Sequence, residues 1–118
     1  MNNRFKFRVW DEVNNKFYSQ EVLNALPLNV FLASKHIQQY IGLTDSADNE
    51  IYEGDILKIS YGAMGDVIGQ VLYEADHGGY IFQWERKGPN QNYINLNCDV
   101  AFESVIIGNV NENSELLN

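Results

Sequence analysis

Apolar and polar residues alternate in short runs along this chain, and glycine, asparagine or aspartate breaks each run. Phe5-Lys6-Phe7-Arg8-Val9-Trp10 alternates apolar with basic, and Phe17-Tyr18 resumes the pattern after Asp11 to Lys16. That predicts a β-hairpin whose turn uses Asn14-Asn15, with Phe5, Phe7 and Val9 on the buried face and Lys6 and Arg8 in water. Residues 19–35 are dense in Val, Leu and Phe without either period, and Pro27 bars a helix through the middle, so a covering segment with at most one helical turn is expected. His36 to Ile41 alternates again and predicts a short strand ending at Gly42.

The clearest local order is Ile51-Tyr52-Glu53-Gly54-Asp55-Ile56-Leu57-Lys58-Ile59-Ser60. Gly54, between two acids, is expected at positive φ in a tight turn. In the strand that follows, Leu57, Ile59 and Tyr61 point one way and Lys58 and Ser60 the other. Val67 to Tyr73 predicts a second strand with a bulge at Gly69. Ala75 to Gly79 is a turn, and Tyr80, Phe82 and Trp84 share one face of an aromatic strand. Residues 86–92 have loop composition, Tyr93 to Leu96 suits a short strand, and Val100 to Ile107 reads as a strand leading to Gly108-Asn109. In the tail, Asn113 or Ser114 would cap a helical turn whose Leu116 and Leu117 must dock, near Trp10 or on another copy.

Short strands at about ten-residue spacing, without helices long enough for parallel crossovers, predict an antiparallel meander. Such a sheet buries its apolar face by curling. The fold class expected is mostly β: a small antiparallel SH3-like barrel, with an OB-like barrel as the alternative, carrying an N-terminal β-hairpin layer and a short C-terminal helical turn. The 118 residues would form one domain, with 1–44 as hairpin and covering segment, 50–110 as barrel core and 111–118 as tail.

Composition adds an ample apolar interior, at 45% hydrophobic residues. The single cysteine, Cys98, permits no internal disulfide, suits a reducing cytoplasm and is expected as a small core residue. No apolar run follows Arg4, Lys6 and Arg8 as in a secretory leader, and none approaches a membrane span, so a soluble, cytoplasmic protein is expected. A net charge of −8 argues against tracking phosphates. The charge is also uneven: residues 1–44 carry five bases and three acids, and residues 45–85 one base and nine acids. Separated poles of this kind could join copies through complementary fields or could be solubilising surface.

Candidate chemistry is sparse. The glycines of Tyr61 to Asp66 lead into a strand rather than the helix a phosphate loop needs, and Asp66 would repel phosphate. Asp45 to Glu50 lacks the spacing of a calcium loop and reads as a polar hairpin loop. His36 is a lone histidine, and Asp76-His77 has no nucleophile beside it. Tyr80, Phe82 and Trp84 could stack bases or grip a peptide, but filling the barrel core fits the charge better. No catalytic, metal or cofactor residue is predicted, and no enzyme is expected.

Gln39-Tyr40-Ile41-Gly42-Leu43-Thr44-Asp45, Glu50-Ile51-Tyr52-Glu53-Gly54-Asp55-Ile56 and Val105-Ile106-Ile107-Gly108-Asn109-Val110 with Glu112 to Leu117, together with Phe7-Arg8-Val9-Trp10-Asp11, resemble the YopX family of phage and prophage proteins. Ser46-Ala47-Asp48-Asn49 departs from the Lys-Asn-Gly-like turn usual there. The resemblance implies a mostly β protein with an SH3-like barrel from a Gram-positive phage or prophage, with no assigned activity and no catalytic residues to carry over. The expectation is a phage accessory protein acting through protein contacts or self-assembly, as a homo-oligomer or with a phage or host protein. The alternatives are a small nucleic-acid-binding barrel and an acidic DNA mimic that occupies a host protein.

Overall fold

A computed structural model describes residues 6–27, 29, 37–60, 65–84 and 92–117. The expectations for Phe5, His36, Tyr61 and residues 86–91 lie outside these. The chain forms two antiparallel sheets, the second of them a curled half-barrel.

The first sheet begins with the predicted hairpin, β1 (Phe7–Asp11) and β2 (Lys16–Phe17), with Trp10 opposite Phe17. Asn15 takes φ 54° in its turn. The Asp11 carboxylate accepts the backbone N–H groups of Val13 and Asn14 and the Asn14 side-chain amide, the Asx geometry that tightens such a loop. β1 pairs along its other edge with β3 (Ile37–Thr44). Val9, Trp10 and Asp11 are all buried, so the simple in-out alternation fails there. α1 (Gln20–Ala25), capped by the Ser19 hydroxyl accepting from Val22 N–H, has six residues where at most one turn was expected.

β3 does not stop at Gly42. It runs on to Thr44 and pairs with β4 (Glu50–Tyr52) as the fourth strand of this sheet. Gly42 takes φ 87°, and the pairing shifts between Tyr40 and Thr44, so the glycine bends the strand instead of ending it.

The second sheet has the order β8-β7-β6-β5-β9. Its strands are β5 (Asp55–Ser60), β6 (Asp66–Glu74), β7 (Gly79–Gln83), β8 (Tyr93–Asn95) and β9 (Ser104–Asn109). Leu57 and Ile59 are buried, and Lys58 and Ser60 are exposed, as their alternation required. Gly69 is not a bulge: it sits in register opposite Leu57, and a Cβ there would lie 2.3 Å from the Gln83 carbonyl oxygen. The glycine lets two strands approach closely. The bulge falls on β9, where Ile56 faces Gly108 but Leu57 faces Ile106.

Cys98 to Phe102 is a helix, α2, rather than the start of a strand. Asn97 caps it by accepting from Val100 N–H, a local bond that the apolar run Val100 to Phe102 does not reveal. Ala101 is the residue α2 buries, whereas Cys98 is exposed and not the core residue expected.

One core serves both sheets. Ile51 of β4 is buried with Leu57, Ile59, Val71, Phe82 and Ala101, and Ile41, Leu43, Tyr80 and Trp84 pack around them. The aromatic strand therefore fills the interior. On the opposite face of the half-barrel Ile56 and Ile81 are also buried, and the 3-10 turn Ser114–Leu117 packs against β6, which lies between their strands. The tail thus docks within the chain, on β6 and not beside Trp10; Leu117 is half-buried and Leu116 exposed. No helix among the described residues is long and apolar enough to cross a membrane.

Candidate functional site

The two sheets meet at Glu53-Gly54, and the chain opens a cleft there. Gly54 takes φ 84°, as the turn required. Its N–H donates to the Val71 carbonyl and its carbonyl accepts from Val110 N–H, so this residue bonds both β6 and the segment leaving β9. A second constraint acts on it: a Cβ would lie 2.2 Å from Gln38 Nε2, so the Gln38 amide rests on the bare face of the glycine.

Arg8 crosses the same seam. Its Nη2 donates to Asp55 Oδ1 at 2.8 Å and to the Glu53 carbonyl at 3.2 Å, and its Nε donates to Gln38 Oε1 at 2.7 Å. The guanidinium carbon lies 4.5 Å from the Phe17 ring centre and 4.9 Å from that of Tyr52. With side-chain exposures of 18% for Arg8 and 2% for Asp55, the arginine predicted to stay in water is a half-buried strap between the sheets, tied to a buried carboxylate. Burial pushes the Asp55 carboxyl above its ordinary value, against the pull of Arg8 and of the Tyr52 N–H that Asp55 Oδ2 accepts. Lys6 pairs with Glu50 at the partly exposed rim. Two of the five bases in the N-terminal stretch thus neutralise two acids of the middle stretch within one molecule, which weakens the case for poles joining separate copies.

Arg8 also fixes the amides around it. A guanidinium only donates, so Gln38 must present Oε1 to it; Asn111 must then donate Nδ2 to that same oxygen, at 3.2 Å. Asn111 Oδ1 is left as an acceptor. The cleft beside it has a volume of about 310 Å³, with Gln38, Glu53, Gln70, Tyr73 and Asn111 as its polar lining and Ile37, Val71, Leu72 and Val110 as its apolar lining. Glu53 Oε1 accepts from Gln39 N–H at 2.9 Å, and Tyr80 O–H reaches Gln39 Oε1 at 3.3 Å. Burial, then the charge of Glu53, raises the Tyr80 phenol above its ordinary value. Glu53 Oε2, the Gln70 amide and Asn111 Oδ1 hydrogen-bond to no described residue, and the Tyr73 ring, edge-on to Tyr80 at 5.4 Å, is largely exposed. Carboxamides, a carboxylate and a ring equip such a cleft to hold a ligand.

The residues considered from the sequence lie elsewhere. Asp76 and His77 form an exposed 3-10 turn with the His77 ring 4.7 Å from Tyr93. Asp45 is buried at 2% exposure, its carboxylate accepting from Ala47, Asn49 and Ile106 backbone N–H groups, so the loop expected to be merely polar clamps the β3–β4 hairpin onto β9. Burial alone would raise this carboxyl, but those donors and the Asn49 side chain hold it below its ordinary value. Among the described residues no three His, Cys, Asp or Glu side chains are placed to hold a metal. Sequence reasoning marked Glu53-Gly54-Asp55 but missed Gln38, Gln70, Tyr73 and Asn111, which lie far apart in the chain and share no spacing signal.

No curated protein matches the chain. The crystal structure of protein EF1440 from Enterococcus faecalis is similar in fold, with a TM-score of 0.58 and 21% identity, covering 96% of this chain and 97% of that one. The family model described as YopX protein matches residues 26–118, the stretch that holds the turn at Gly54, both sides of the cleft and the docked tail, and the chain belongs to that family.

Proposed function

We propose that this is an accessory protein of phage or prophage origin, working in the host cytoplasm through protein contacts rather than chemistry. The observation that carries the reading is the cleft at the sheet seam, whose uncommitted groups are binding groups held in place by backbone bonds and by the Arg8 strap. Its volume is at the lower end for ligand sites and suits one side chain of a partner better than a nucleotide. Lys6 and Arg8, engaged with Glu50 and Asp55, leave the start of the chain's first sheet little charge to offer phosphates, so the nucleic-acid reading gains no support there.

The test compares immobilised wild type with a blocked variant, Gln70→Trp, against lysate of phage-producing host cells. The expected result is a partner, identified by mass spectrometry, that wild type retains and the blocked, folded variant loses. If the two retain the same proteins, the reading falls. Light scattering on the purified chain in the same experiment reports whether a second copy is that partner.

A further inference from the structure

We infer that the seam cleft is a receptor for an arginine side chain of the partner protein, an assignment that rests on the protein-contact reading above. Three residues that line the cleft carry acceptors without partners among the described residues: Glu53 Oε2, Asn111 Oδ1 and the Gln70 side-chain carbonyl oxygen. The acceptor state of Asn111 is forced, because Arg8 sets the orientation of Gln38 and Gln38 sets that of Asn111. One carboxylate among neutral amides matches a single positive charge and is too few for a divalent ion, which takes six or more oxygen ligands when it is calcium. Tyr73, largely exposed at the rim, offers the ring face on which guanidinium groups stack, as Arg8 already lies against Phe17 and Tyr52 nearby. The apolar groups Ile37, Leu72 and Val110 suit the three methylenes of an arginine stem. The charge of −8 would draw a basic partner toward the molecule.

The probe is N-acetyl-arginine amide, titrated into 15N-labelled protein, with N-acetyl-citrulline amide as the neutral isostere. Saturable shifts confined to Gln38, Glu53, Gln70, Tyr73 and Asn111 are expected with the arginine compound and not with citrulline. Glu53→Gln, which keeps a carbonyl oxygen for Gln39 N–H, should weaken binding about tenfold or more through loss of the charge-assisted bond. Tyr73→Leu provides a second variant that leaves Glu53 in place and should also weaken it. Equal shifts from citrulline, or undiminished binding by Glu53→Gln of unchanged melting temperature, would overturn the assignment. No shifts from arginine, while Gln70→Trp still loses a captured partner, would overturn it and leave the protein-contact reading standing. Arginine binding without any partner loss would support the site and overturn that reading alone.

Discussion

Gly54 satisfies two demands that no other residue meets together, a left-handed backbone and a bare face under the Gln38 amide. Gly54→Val is expected to cost about 1–3 kcal/mol for the backbone alone. Because Gln38 must also move, a urea titration should show a larger loss than at Gly65, which also has positive φ but open space around it. Arg8 in β1 and Lys6 just before it share a charge, yet their expected behaviours differ. Arg8→Met strands the buried Asp55 carboxylate, an error that costs about 3–5 kcal/mol, and Asp55→Asn in the same molecule should recover part of it. Lys6→Met removes a partly exposed pair and should leave the melting temperature nearly unchanged. Asp45 gives the pH signature. Its carboxyl is held below the ordinary value in the folded state, so its contribution is complete above that value and disappears as pH falls through the lower, folded one. Asp45→Asn should therefore lose about 1–3 kcal/mol at neutral pH, and the gap to wild type should close in acid; a gap independent of pH would contradict the carboxylate's role.

At the scale of elements, period-two alternation was legible wherever one face of a strand meets the core and the other meets water, as in β5. It failed in β1, where Val9, Trp10 and Asp11 are buried in succession, so both faces are covered and Arg8 reads as surface while pairing with a buried carboxylate. Glycines misled in the same way: Gly42 and Gly69 look like an end and a bulge, but one bends a continuing strand and the other admits a neighbouring carbonyl. Gly69→Ala is expected to be destabilising by about 1–3 kcal/mol, since the Gln83 backbone must shift and cannot rotate away as a side chain would. The tail obeyed simple reasoning in that exposed leucines seek cover, but the sequence held no sign of which surface they would find. Removing residues 114–118 should lower the melting temperature with no change in particle size, because the 3-10 turn packs on β6 of its own chain. A smaller particle after deletion would place the tail between subunits instead.

At the scale of the whole molecule, the fold class was readable because strands, turns and the scarcity of long helices are local properties. The cleft was not, because it is made by distance: Gln38 from the first sheet, Glu53 from the link, Gln70 from the second sheet and Asn111 beyond the last strand. No pattern within a window of ten residues could announce it. This arrangement has a consequence for how the protein comes into being. Synthesis is vectorial, and N-terminal segments emerge and begin to fold first. The β1–β2 hairpin can form early, but Gly54 receives its bond from Val110, and Gln38 its bond from Asn111, only after the chain has been made and released past Asn111. A nascent or prematurely terminated chain can possess strands and even part of the core while having no cleft at all. Binding at the proposed site therefore needs the chain as far as Asn111, and a fragment ending at Gly108 should fail to take up the arginine probe whatever structure it retains.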